Sequence, residues 1–110
     1  MKLPNSEQAI VPEKKLTEYL LSETHAVGKF KARFFRRLGF DLTNASLLQK
    51  EIMNLVQVQD VENIIPSNYG TKYIVKGAIK TPIGESVRIK TVWIIEKNQT
   101  QPIFITAYPV

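Results

Sequence analysis

The sequence predicts an α+β domain in which about three N-terminal helices pack on one face of a four-stranded antiparallel β-meander. Three observations carry this expectation. Apolar residues recur at helical spacing up to about residue 58 and in strand-like runs after it. Those runs follow one another through short, turn-rich links, which favours antiparallel pairing. Helices that precede strands segregate to one face of the sheet. The 110 residues suffice for one domain with a modest core, and no repeat or flexible linker divides 1–110.

The elements follow in order. "AIVPEKKLTEYLLSE" predicts an extended arm and then a helix. Pro12 suits a first helical position and Glu13 a first turn, while Leu16, Tyr19 and Leu20 share one side. A second helix is predicted from about Gly28 to Leu38, with Gly39 as its stop. A third lies in "DLTNASLLQKEIMNLV", with Thr43 as N-cap and a hydrophobic staple between Leu42 and Leu47. Its buried stripe is Leu48, Ile52, Leu55 and Val56. Strands are predicted at Val58–Ile65, Thr71–Gly77, Val87–Glu96 and Ile103–Tyr108, linked by "PSNYG", by a type I turn at "TPIG" and by "KNQTQP". Pro66 and Pro102 flank strands without interrupting them.

Composition narrows the function classes. Hydrophobic residues are 44% and charged residues 23%, which is ordinary for a globular domain. Cysteine is absent, so thiol nucleophiles, disulfides and thiolate metal sites are excluded. A single histidine and no spaced ligand cluster point to no metal and no cofactor. No P-loop, dinucleotide fingerprint or serine-hydrolase elbow occurs. No apolar run approaches the roughly 20 residues that span a bilayer, and "MKLPNSEQAI" lacks the apolar core of a signal peptide. A cytoplasmic protein without a membrane partner is expected.

The net charge is +5, and its placement is informative. In "HAVGKFKARFFRRLGF", Lys29, Lys31, Arg33, Arg36 and Arg37 supply the whole excess; without them bases and acids balance at 10 each. Such a patch attracts phosphates, and it also fits a plain solvated helix face. At about 100° per residue, Val27, Phe30, Phe34, Phe35 and Leu38 gather on one side and Lys29, Arg33 and Arg36 on the other. Lys31 breaks the pattern by falling between Phe35 and Leu38. Two readings stay open: its ammonium snorkels out of the stripe, or it reaches a pocket at the helix–sheet margin and meets an anion.

Strand alternation gives a second signal. Tyr73, Val75, Ile89, Thr91, Trp93 and Ile95 form the better core face, with Ile103, Ile105 and Ala107 predicted to join them. The opposite face then carries Lys72, Lys76, Arg88 and Lys90 beside Phe104, Thr106 and Tyr108. Cations interleaved with stacking surfaces suit single-stranded RNA, although half-buried sheets commonly have a polar outer face. His25 sits in a polar link between the first two helices, where an imidazole can exchange protons near neutrality.

Almost end to end, the sequence resembles a bacterial family of small domains of unknown function. The resemblance lies in "LPNSEQAIVPEKKLTEYLL", "HAVGKFKARFFRRLGF", "YGTKYIVKG", "TVWII" and the terminal "ITAYP". The arrangement is also similar to the barnase–EndoU–colicin–RelE group of RNase toxins, which cut RNA without a metal on the sheet face that the helices leave open. That second resemblance implies a catalytic set of His25, Lys31, Lys90 and Thr106, with Lys90 standing where the group often has arginine. It implies RNA contacts from Arg88, Lys72, Lys76, Tyr108 and Phe104. The expected function is a toxin-like, metal-independent endoribonuclease or an RNA-binding relative of one. The alternative is a non-catalytic interaction module of a small toxin–antitoxin or regulatory pair. The expected partners are RNA, a cognate antitoxin-like or regulatory protein, and a second copy in a homodimer. One tension accompanies the set. Lys31 belongs to the core side of its helix and the site to the outer sheet face, so both hold only if that helix lies at the sheet's rim.

Overall fold

Residues 1–22, 24–25 and 29–110 are described in a computed structural model of the chain. A 3₁₀ turn, Ser6–Gln8, precedes α1 (Glu13–Lys15), which continues as a π-helical turn, Leu16–Leu20. Then come α2 (Lys29–Arg37), α3 (Ala45–Val58), β1 (Val61–Ser67), β2 (Gly70–Lys80), β3 (Ser86–Glu96) and β4 (Ile103–Pro109). The strands form one antiparallel sheet in the order β1-β2-β3-β4. The architecture is the predicted α+β fold. No helix among the described residues is long and apolar enough to cross a membrane.

The helices cover the face that alternation assigns to the core. Val75, Ile79, Ile89 and Trp93 are fully buried with Leu16, Leu20, Phe35, Leu48, Ile52 and Val56 from the helical layer. Burying such side chains is worth roughly 1.5–3 kcal/mol each. Gly77 lets α3 approach closely, because a Cβ there would lie 2.8 Å from Gln59 Cγ and 3.0 Å from Leu55 Cγ. Two buried polar groups are satisfied in series: Trp93 Nε1 donates to Thr91 Oγ1 at 2.9 Å, and Thr91 Oγ1 donates to the Val75 carbonyl at 2.7 Å.

Local signals worked well for α2. It ends at Gly39, which takes φ +95°, and the Phe40 amide closes a 3.1 Å bond to the Phe35 carbonyl. The predicted start at Gly28, and Val27 in its stripe, lie outside the described residues. Phe30 departs from the stripe: it is 63% exposed, with Lys29 Nζ and Arg33 Cζ over its ring at 5.3 and 5.4 Å. Arg36 also departs from the wet face, because its Nη2 donates to the Leu21 carbonyl at 2.7 Å. That bond ties α2 to the end of the π turn.

At α3 the cap is Asn44, one residue later than predicted. Asp41 Oδ1 takes hydrogen bonds from both the amide and the hydroxyl of Thr43, which keeps Thr43 in the turn before the helix. Asn44 Oδ1 accepts from the Asp41 amide and its Nδ2 donates to the Gly39 carbonyl. With the register moved by one, the Leu42–Leu47 staple is lost, and both side chains are exposed. Helix α3 also runs through Val58, where a strand was expected to begin.

The sheet departs from prediction at two places. Pro66 lies inside β1 rather than beside it, as an edge strand permits. A β-bulge between Val92 and Trp93 sets Val92 opposite Thr106 but Trp93 opposite Phe104, leaving Ile105 as the extra residue. One inserted residue reverses the alternation beyond it. Phe104 therefore points into the core, fully buried and edge-on to Trp93 at 5.5 Å, whereas it was expected on the outer face. Ile103, expected inside, pairs with Ile94 on the outer face instead. The expected arm is present: Ile10 bridges in parallel to Ile103 and occupies that end of β4's free edge.

Candidate functional site at the rim of the sheet

Three segments meet where β4 passes under the helices. The first is the π turn. Leu16 and Leu20 are buried, while Tyr19 packs its ring against the core and carries its hydroxyl out to the rim. The wider turn, closed by the Leu21 amide on the Leu16 carbonyl at 2.7 Å, is of a kind often found at functional sites. The second segment is α2, whose Lys31 is half-buried. The third is the outer face of β3 and β4, where Lys90 stands opposite Tyr108 and Val92 opposite Thr106.

Lys31 joins them. Its Nζ donates to Tyr19 Oη at 2.7 Å and to Thr106 Oγ1 at 3.0 Å, and it lies 5.3 Å from the centroid of the Tyr108 ring. Thr106 Oγ1 lies 3.4 Å from Tyr19 Oη. Lys90 Nζ also stands 5.3 Å from the Tyr108 centroid, so two ammonium groups share one electron-rich ring. His25 meets Tyr19 edge-on, with ring centroids 4.9 Å apart. The helix does lie at the rim, so Lys31 is both a residue of the apolar side of α2 and a member of an outer-face cluster.

Tyr19 is the member that the sequence reading missed. At helical spacing it is one more residue of a core stripe with Leu16 and Leu20, and the period says nothing about a π turn. The only signal is its residue type, a hydroxyl on an otherwise apolar stripe. Burial opposes ionisation of this phenol, but the hydrogen bonds from Lys31 and Thr106 and the charges of Lys31 and Lys15 outweigh it. Its pKa lies below the ordinary 10.0. Because Tyr19 Oη accepts from Lys31 and lies within reach of the Thr106 hydroxyl, its own proton is not required by either contact.

The remaining basic residues divide by distance. Lys76 stands opposite Lys90 on the outer face, with its charge balanced by Glu62 at 3.1 Å. Arg88 is one row further along the same face and exposed. Lys72 pairs with Ile94, four residues up β2 from Lys76 and thus about 13 Å away. An apolar row of Ile74 and Val92 separates it from the cluster. Phe104 is buried and offers no stacking surface.

A family model covers residues 2–110 and is described as a domain of unknown function, DUF6883. The chain belongs to that family. No curated protein matches the chain. Among solved structures, a chain of a contact-dependent growth inhibition toxin–immunity protein complex from Klebsiella pneumoniae 342 superposes with a TM-score of 0.72. The match covers 94% of this chain and 95% of that one at 19% sequence identity. The DUF6883 domain thus shares its fold with that chain over nearly its full length.

Proposed function

We propose that this DUF6883 domain is a toxin-like endoribonuclease that cuts single-stranded RNA through its own 2′-hydroxyl and is held in check by a partner protein. The convergence of Lys31 with Tyr19 and Thr106, beside His25 and the Lys90–Tyr108 pair, carries the reading. We read this imidazole, the two ammonium groups and the two hydroxyls, gathered at the rim of the sheet, as an anion site with proton-transfer groups at its edge. The shared fold with a chain of a toxin–immunity complex supports the toxin-like setting and the protein partner.

In this mechanism His25 takes the proton of the 2′-hydroxyl as the 2′-oxygen attacks the adjacent phosphorus. Lys31 and Lys90 stabilise the charge that builds on the phosphorane oxygens, which is the larger electrostatic task. Thr106 donates to one of those oxygens. The P–O5′ bond breaks, and the Tyr19 phenol, made more acidic by Lys31, gives its proton to the leaving 5′-oxygen. The products are a 2′,3′-cyclic phosphate and a 5′-hydroxyl, so atoms and protons balance without water or a co-reactant. Tyr108 stacks a neighbouring base.

Induced expression in bacteria tests the proposal. Wild-type protein should arrest growth, and Lys31→Ala or His25→Ala should relieve the arrest at equal protein levels. Equal growth of wild-type and variant cultures would remove the toxin reading.

A further inference from the structure

A cleft of about 440 Å³ opens beside Tyr19 and His25, within the range of about 300–1,000 Å³ that ligand sites occupy. Pro12, Lys14, Lys15, Glu18, Tyr19 and His25 line it. It shares Tyr19 and His25 with the rim cluster, so a ligand in it adjoins whatever Lys31 and Thr106 hold. Its walls are mixed in character. The Pro12 and Tyr19 rings are apolar, and Lys14 and Lys15 are exposed around the opening. The Lys15 charge is already felt by the Tyr19 phenol. Glu18, also exposed, is the one acid among the described residues that line it.

We infer that this cleft is a subsite for the nucleotide next to the scissile phosphate. The flanking phosphate lies against Lys14 and Lys15, and the base lies against Pro12 and Tyr19. The inference rests on the ribonuclease reading, because the cleft is placed by its two shared residues. It extends that reading from one phosphate to a strand. RNA crosses the rim from the Lys90 and Arg88 side of the sheet, past His25 and Lys31, and onto the start of α1. Aromatic and apolar faces beside a cationic edge are how single strands are held without sequence readout, and Glu18 weakens the subsite by repelling the flanking phosphate.

Cleavage of a dinucleoside monophosphate is to be compared with cleavage of an oligoribonucleotide of about ten nucleotides, close to the footprint of a single-strand groove. Lys14→Gln with Lys15→Gln should lower kcat/KM on the oligonucleotide about tenfold, and on the dinucleotide by less than about twofold. Glu18→Gln should raise it on the oligonucleotide alone. Affinity for a 2′-O-methyl oligonucleotide, which cannot be cut, gives the second reading. Its log–log salt slope should fall by about 0.7 in the double variant, as the loss of one phosphate contact on a single strand implies. Wild-type protein that binds this strand but never cleaves RNA would sink the ribonuclease reading and leave the slope to decide the subsite. Equal losses on long and short substrates, or an unchanged slope, would overturn the subsite and assign the lysines to something other than RNA.

Discussion

Replacing Lys31 with methionine removes the ammonium while keeping an unbranched apolar stem. Lys31 donates to Tyr19 and Thr106, and charge-assisted bonds contribute about 1.5–3 kcal/mol each when shielded from water. All three side chains are half-buried, and deleting the charge also removes its desolvation cost. The net destabilisation is therefore about 1–2 kcal/mol, or roughly 5–10 °C in Tm for a domain of this size. A larger change is expected in the Tyr19 titration, followed by near-ultraviolet absorbance against the other tyrosines among the four. In the wild type Tyr19 ionises below 10.0. In Lys31→Met the burial remains and the main opposing contributions are gone, so its pKa should rise to the ordinary value or above. The sign carries over to stability. A lowered phenol pKa stabilises the fold at pH values above the unfolded pKa, and that contribution is lost as pH falls through the folded value. The stability gap between wild type and variant should therefore widen as pH rises toward 10.0. RNA cleavage should fall about 10²–10³-fold, the usual scale for losing one preorganised charge-stabilising donor. A Tyr19 that titrates with the other tyrosines in the wild type, or does not move in the variant, refutes the geometry. Unchanged cleavage beside a moved titration refutes the catalytic role and leaves Lys31 as a structural tie.

Other substitutions separate core from site. Phe104→Ala should cost about 3–5 kcal/mol as a buried aromatic, measured by denaturant unfolding, whereas Tyr108→Ala should cost much less; the reverse order would contradict the bulge in β4. Arg36→Met should lose about 1–3 kcal/mol by leaving the Leu21 carbonyl without its donor. Thermal melts would show this, and a neutral result would mean that the tie between α2 and the π turn is dispensable. The bonds from the Thr43 side chain and amide hold Asp41 below its ordinary 3.8 despite a small opposing burial effect. Its contribution is present above that pH and lost as pH falls through the lower folded value. Asp41→Ala should therefore destabilise at neutral pH and converge with the wild type in strong acid.

The fold was legible because its signals are local. The period changes where α3 gives way to β1, Gly39 stops α2, and "TPIG" closes its turn with the Gly84 amide on the Thr81 carbonyl at 2.9 Å. The misplacement of Phe104 has a non-local cause. Nothing in "IFITAYP" distinguishes a regular strand from one with an extra residue at Ile105, and a shift of one residue reverses a side chain's face. Lys31 stood out because helical spacing leaves a charge in an apolar stripe without a local reason. Its partners come from distant parts of the chain, so periodicity could not name them. Tyr19 stayed hidden because an amphipathic ring satisfies a core pattern and a rim site at once. Arg36 looked solvated because its acceptor is a backbone carbonyl in another segment, which no side-chain pattern records.

The most direct test of the central claim is to incubate purified wild-type and His25→Ala protein with single-stranded RNA in excess chelator and to analyse the ends of the fragments. The account predicts cleavage by the wild type with 2′,3′-cyclic phosphate and 5′-hydroxyl ends, abolished in His25→Ala. Intact RNA with the wild type, fragments ending in a 3′-hydroxyl, or cleavage that survives in His25→Ala would contradict it.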